Sequence, residues 1–243
     1  MSHIDLRLAQ LQSAHASAAT WQPVSCRLPQ YHTPIVLPRP LAGWQGTAKR
    51  CIDVAIALAA LVLHLPLLLL AAIAIKLDSP GPILFRQRRA GLHGRSFELL
   101  KLRTMYHGRP PSSRLHQACR RDPRVTRIGA LLRRTSFDEL PQLWNVLRGD
   151  MSLVGPRPHA PGTCAGDTPF EQVTERYASR HRVPPGMTGL AQVRGWRGET
   201  DTTEKLLGRL DSDLEYITAW SLGLDCVILA RTVAAVWRMR NAY

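Results

Sequence analysis

Apolar residues are distributed very unevenly along this chain. Residues 54–75 read VAIALAALVLHLPLLLLAAIAI, interrupted only by His64 and Pro66. At about 1.5 Å per helical residue this run matches a bilayer core of roughly 30 Å, and it predicts a helix in lipid. Two features argue against a simple crossing. Pro66 lies in the middle, removes a backbone donor and kinks the helix into halves of roughly 11 residues, about 17 Å each. Basic residues flank both sides, Lys49 and Arg50 before and Lys76, Arg86, Arg88 and Arg89 after, so both ends favour the cytoplasmic face. The pattern predicts a re-entrant hairpin broken at Pro66, with His64 as a partner for the backbone group that the proline frees. A kinked spanning helix is the competing arrangement.

Elsewhere the periodicity changes. Ser79, Pro80, Gly81 and Pro82 mark a turn, residues 83–87 a short strand, and Gly91 and Gly94 a second turn before a strand over 96–105. Residues 107–121 read as a basic loop. Helical spacing then predicts helices over 124–134 and 137–147, the second with Leu140, Leu143, Trp144 and Leu147 on its apolar face. Near the end, Leu222, Val227, Ile228, Ala230, Val233, Val236 and Trp237 line one helical face, interleaved with Arg231, Arg238 and Arg240. That face suits either a membrane interface or a core. The expected class is α+β and mainly helical, with a Pro-rich extension over 1–43, a membrane segment over 44–78 and a catalytic domain over 79–243. The first residues contain no early apolar run, which predicts no secretory leader.

Charge narrows the partners. Lys and Arg number 32 against 18 Asp and Glu, a formal charge of +14, which points to a polyanion. Nucleic acid is disfavoured, because aromatic residues are few and no known binding module is present. The five cysteines, Cys26, Cys51, Cys119, Cys164 and Cys226, contain no CxxC pair, so reduced thiols are expected rather than disulfides or a zinc site.

The adjacent carboxylates Asp138 and Glu139 are the candidate chemistry. Ser136 followed three residues later by Glu139 fits a capping box, in which these groups only satisfy backbone donors. Against that stand Arg133, Arg134, Arg148 and Arg157, all close in sequence. A carboxylate at a helix N-terminus among guanidinium groups is expected to stay ionised. It can then attack phosphorus, and two acids beside phosphate-binding arginines also suit Mg²⁺.

The blocks SPGPILFRQRRAG, KLRTM, DPRVTRIGALLRRTSFDELPQLWNVLRGDMSLVGPRPHA and PPGMTGLAQVRGWRGETDT resemble the bacterial sugar transferases, monotopic phosphoglycosyl transferases acting on polyprenol phosphate. The likeness runs from about Lys49 to Tyr243. It implies that Asp138 is the nucleophile on the β-phosphate of a UDP-sugar, releasing UMP, and that undecaprenyl phosphate then takes the sugar phosphate. It makes Glu139 the partner of Asp138 in proton transfer or Mg²⁺ positioning. It further implies that Lys101, Arg103, Thr104, Arg133, Arg157, Gln192, Asp213 and Tyr216 bind substrate. A membrane-bound enzyme on the cytoplasmic face of the bacterial inner membrane follows, among membrane lipids, with a homo-oligomer allowed. GPRPHA, RGETDT, the run Asp213, Leu214, Glu215 and Tyr216, and the terminal Asn241, Ala242 and Tyr243 are most similar to the branch that transfers glucose 1-phosphate for exopolysaccharide synthesis. UDP-galactose and UDP-N-acetyl sugars are the alternative donors. The family usually has Phe at Leu102 and Leu at Phe137, and its long members carry four membrane helices and a further domain ahead of the catalytic part. A different class, a non-catalytic basic protein of the membrane surface, would explain the charge and the apolar run but not Asp138 and Glu139.

Overall fold

The computed structural model describes residues 43–108, 122–198 and 200–237. The expected extension over 1–43 (apart from Gly43), most of the basic loop over 107–121, Cys26, Cys119 and the terminal Asn241, Ala242 and Tyr243 lie outside them. The fold is α+β and mainly helical.

Helix α1 (Trp44–Asp78) carries the apolar run as one continuous element, with Pro66 inside it. Its inner residues recur every three or four positions. Lys49, Asp53, Ala57, Ala60, His64, Leu68, Ala71 and Ile75 all face the rest of the chain. This is one helical stripe, and it stays in phase across Pro66. The opposite face is apolar and exposed, including Leu58, Val62, Leu63, Leu65, Leu69, Leu70, Ile73 and Leu77. The expected break at Pro66 therefore does not interrupt the helix. His64 does not serve the freed carbonyl either: its Nδ1 lies 2.8 Å from Ala60 O. A helical side chain leans toward the N-terminus, so it reaches the carbonyl one turn before itself and not the one that Pro66 leaves open.

Both ends of α1 are fastened to the same body. At the start, Lys49 Nζ donates to Asp225 Oδ2 at 2.7 Å and to Val154 O at 3.2 Å. Arg50 donates to Val146 O and Leu147 O at 2.6 and 2.9 Å. At the far end, Arg103 donates to the carbonyls of Ile75, Ser79 and Pro80.

Strands β1 (Leu84–Ala90) and β2 (Ser96–Leu102) pair antiparallel over their full length, from Leu84 opposite Leu102 to Ala90 opposite Ser96. Helix α2 (Arg127–Thr135) starts where Thr126 Oγ1 accepts from Gly129 N at 2.9 Å. It stops at Ser136, whose left-handed backbone (φ 59°) turns the chain. The single helix expected over 137–147 is a 3₁₀ turn at Phe137–Glu139, followed by α3 (Gln142–Arg148). Pro141 separates them because it has no N–H to continue the ladder.

Strand β3 (Ser152–Val154) pairs parallel with β6 (Gly186–Thr188). Between them lie the two-residue strands β4 (Cys164–Ala165) and β5 (Thr168–Pro169), helix α4 (Phe170–Val173) and a 3₁₀ stretch at Glu175–Arg182. Helices α5 (Leu190–Val193), α6 (Thr203–Thr218) and α7 (Leu222–Trp237) follow. The main core joins Leu143, Val146, Met151, Leu153, Leu210, Leu214, Ile217 and Ile228 to Ala57 of α1. A second cluster packs Ile75, Leu102 and Leu132 against Leu68, Ala71 and Phe137. The single apolar face expected for α7 divides: Ile228 is in the core, whereas Val227 and Val233 are exposed.

Asn145 joins α3 to the hairpin. Its Oδ1 accepts from Leu100 N at 3.0 Å, and its Nδ2 donates to Glu98 O at 2.7 Å. It is fully buried, so Asn145→Ala leaves backbone groups of β2 without partners. The expected loss is about 2–4 kcal/mol, read as a fall of roughly 5–10 °C in the thermal midpoint.

Candidate active site

The 3₁₀ turn exists because Ser136 reverses the end of α2 and Pro141 delays the start of α3. It presents Asp138 and Glu139 toward the end of β2. The capping box is absent: Ser136 makes no side-chain cap, and only backbone joins Glu139 N to Ser136 O at 3.2 Å. The Glu139 carboxylate turns instead to two cations. Lys101 Nζ, from β2, donates to Oε1 at 2.7 Å. Arg157, from the loop after β3, donates through Nη1 to Oε2 at 3.2 Å and through Nη2 to Oε1.

Asp138 is the contrasting half. It is 7% exposed, no hydrogen bond from a described residue reaches its carboxylate, and Lys101 Nζ stands 4.0 Å from Oδ2. Burial pushes its carboxyl up to about 6, with Lys101 opposing and Glu139 reinforcing. Burial would also raise Glu139, but Arg157 and Lys101 outweigh it and hold that group well below the usual carboxylate range. The pair is thus split into a permanently charged member and a poised one.

Two pairs of residues surround the acids. Arg133 approaches Asp138 closely enough to favour its charged form, and its Nε donates to Thr104 Oγ1 at 2.8 Å. Thr104 therefore aims Arg133. Gln192 donates from Nε2 to Met187 O at 2.9 Å, the same carbonyl that Arg157 Nη1 approaches at 3.5 Å, while its Oε1 is buried without a partner. Gln192 thereby adjoins Arg157.

Three other expected residues are engaged elsewhere. Arg103 holds the carbonyls at the end of α1. Asp213 pairs with Arg180 at 2.7 Å, and Arg180 Nη2 holds Arg157 O at 2.7 Å, so Asp213 supports the site through a second residue. Tyr216 donates to Val154 O at 3.1 Å and to Asp225 Oδ1 at 2.8 Å, beside Lys49, and belongs to the anchor of α1. Each is buried and bonded to protein groups, which sequence position could not reveal.

Sequence reasoning missed Arg89, Arg180, Arg197 and His159. Arg89 of β1 donates to Pro158 O at 3.2 Å, and burial brings its guanidinium down to about 10, with Arg157 adding repulsion. His159 sits between Arg180 and Arg209, at 2.6 and 3.1 Å from its two ring nitrogens. Burial and then these arginines hold it neutral, well below its usual range. The basic run RQRRAG and the block GPRPHA were the available signals.

For a divalent cation the described residues offer no cluster of three acidic, His or Cys ligands. The pair alone remains, and both Glu139 oxygens are already bonded to cations. That donor set fits Mg²⁺ in the form Asp138 plus substrate phosphates, which is this ion's usual preference. The joint ligand role expected for Glu139 finds less room.

A carboxylate without a hydrogen-bond partner among the described residues, beside a clamped one and amid guanidinium groups, is chemically suited to phosphoryl transfer. The model of the bacterial sugar transferase family matches residues 44–239, and the chain belongs to that family. It is 55% identical over 195 residues to a UDP-glucose:undecaprenyl-phosphate glucose-1-phosphate transferase of Caulobacter vibrioides, covering 80% of this chain and 72% of that protein. It is 51% identical over 205 residues to an undecaprenyl-phosphate glucose phosphotransferase of Komagataeibacter xylinus, covering 84% of this chain and 38% of that protein. An exopolysaccharide production protein of Rhizobium leguminosarum bv. phaseoli is 48% identical over 187 residues, 77% of this chain and 94% of its own length. The chain thus spans about two fifths of the length of the Komagataeibacter relative.

The raised carboxyl of Asp138 has a consequence for stability. A folded value of about 6 against an ordinary 3.8 means that the stability tied to the protonated form is complete below 3.8 and lost as pH rises through 6. Asp138→Asn removes the buried charge. Its thermal midpoint should exceed that of the parent at pH 7.5 and equal it at pH 3.5.

Proposed function

We propose that this protein is a phosphoglycosyl transferase that moves glucose 1-phosphate from UDP-glucose to undecaprenyl phosphate, at the membrane step that starts an exopolysaccharide. The carrying observation is the split pair: Asp138 lacks a hydrogen-bond partner among the described residues while Glu139 is held by Lys101 and Arg157. The relatives named for glucose 1-phosphate transfer support the donor, the acceptor and glucose over galactose or N-acetyl sugars.

The chemistry runs in two displacements. An Asp138 carboxylate oxygen attacks the β-phosphorus, and the bond from that phosphorus to the bridging oxygen breaks, so UMP leaves with the bonding pair. A phosphate oxygen of the lipid then attacks the same phosphorus and releases Asp138 as a carboxylate. Two easier steps replace one difficult one. Glu139 keeps Lys101 and Arg157 in place rather than exchanging a proton, because both its oxygens are occupied. Arg133, aimed by Thr104, and Arg157, next to Gln192, are the cations nearest the reacting phosphate. Mg²⁺, bound through Asp138 and the diphosphate, would neutralise phosphate charge.

The same reading makes α1 re-entrant. Both its ends bond to one body and its outer face is apolar. Pro66 then lies deepest in the cytoplasmic leaflet of the inner membrane, and the exposed Val227 and Val233 of α7 meet the lipid surface.

Two measurements test this. Asp138→Asn should lower UMP release from UDP-glucose by roughly 1,000-fold or more, with membrane association unchanged. Labelled UDP-glucose without lipid should leave label on the parent protein and none on the variant; equal release by the variant removes Asp138 as nucleophile. Single cysteines at Gly46 and Asp78, in a background freed of the native cysteines, should react with an impermeant thiol reagent only from the cytoplasmic side. Reaction from opposite sides would establish a span.

A further inference from the structure

The turn at residues 195–198 leads from α5 toward α6, and its base is built with unusual care. Gly195 N donates to Gln192 O at 3.2 Å and Trp196 N to Ala191 O at 3.0 Å. From the other side the buried Arg209 donates through Nη2 to Trp196 O at 2.6 Å and to Gly198 O at 3.3 Å. The Trp196 indole lies against Gly208, where a Cβ would come within 2.6 Å of the ring. Positive φ at Gly195 and Gly198 (98° and 89°) lets the chain reverse at both ends of the turn.

Within this fixed turn one side chain is unused. Arg197 is half-buried, and among the described residues it makes no hydrogen bond and no ion pair. Withdrawing a guanidinium from water without a counter-anion is unfavourable, so such an arrangement persists where an anion arrives. Its position says which anion. Gln192, just before the turn, shares Met187 O with Arg157. Arg197 is near enough to feel attraction from Glu139 and repulsion from Arg157. Glu139, the described carboxylate that acts on it, is already held by Arg157 and Lys101. Among the described residues, the five cations Arg89, Lys101, Arg133, Arg157 and Arg197 act on the two carboxylates Asp138 and Glu139. The excess of positive charge suits a polyanion such as a diphosphate diester.

We propose that Arg197, presented by the strapped turn, receives the diphosphate of the nucleotide donor. The inference rests on the UDP-sugar reading above and names a residue for it. Arg197 does not touch the reacting carboxylates; it holds the substrate's charge while Asp138 displaces the nucleotide. Because Arg209 and Gly208 fix the turn, the arm is placed before the donor arrives, which limits the ordering entropy lost on binding.

The test compares parent, Arg197→Gln and Arg197→Lys, all full-length in detergent, by calorimetric binding of UDP, uridine and inorganic diphosphate. The expected result is a loss of about 10-fold or more in UDP affinity for Arg197→Gln, unchanged uridine binding, partial recovery in Arg197→Lys, and a thermal midpoint within about 2 °C of the parent. A matching rise in KM for UDP-glucose with a smaller change in kcat agrees with it. Equal UDP affinity in parent and Arg197→Gln overturns the assignment and leaves the donor reading intact. Diphosphate binding that needs Arg197, in a parent that does not bind UDP, keeps the anion arm and overturns the UDP-sugar reading. Binding of neither by the parent overturns both.

Discussion

The site depends on one carboxylate being held between two cations that come from different parts of the chain. Glu139 takes Lys101 from the end of the β hairpin and Arg157 from the loop after β3. That single contact fixes the 3₁₀ turn against the hairpin and fixes the loop against the turn. It also decides the state of its neighbour. With Lys101 drawn to Glu139 at 2.7 Å, Asp138 is left 4.0 Å away, buried, and short of the partners that would lower its pKa. Full neutralisation of one acid is the reason the other remains available.

Around this contact the structure sorts charge by distance from the two acids. Arg133, Arg157 and Arg197 are near the acids, and the first two are oriented by Thr104 and by Arg180. Arg180 is itself fixed by Asp213, with both side chains 2% exposed. A buried ion pair contributes little net stability, so its value here lies in holding the Arg157 main chain in one place. Arg103 and Lys49, equally cationic, serve a different purpose. They tie the two ends of α1 to the domain, through carbonyls at one end and Asp225 at the other. A helix whose outer face is apolar is thereby kept at a fixed distance from Asp138, and Phe137, next to Asp138, packs toward His64 of that helix.

Local sequence signals were strong wherever one physical rule acted alone. Residues 54–75 are apolar on every face and form a helix, the Gly91 and Gly94 turn closes a hairpin, and Thr126 caps α2. The signals failed where two rules competed. Ser136 and Glu139 have the spacing of a capping box, yet Ser136 ends the preceding helix in a left-handed conformation, and Glu139 finds stronger partners in Lys101 and Arg157 than in a backbone N–H. Pro66 reads as a break, but the contacts of Ala57, Ala60, Leu68 and Ala71 on one stripe keep the helix in phase across it.

The sequence by itself determined the long apolar segment, the family blocks and the position of the acid pair, because each is written in contiguous residues. Only the tertiary structure decided which acid is poised and which is clamped, and which cations gather beside the acids and which tie elements of the fold together. Lys101, Glu139 and Arg157 are 38 and 18 residues apart, and Arg103 and Ile75 are 28 apart. No periodicity or local spacing encodes a contact across such separations. A guanidinium looks the same in sequence whether it ends on a carbonyl, a carboxylate or nothing. What distinguishes Arg103, Arg157 and Arg197 is the partner that folding brings to each.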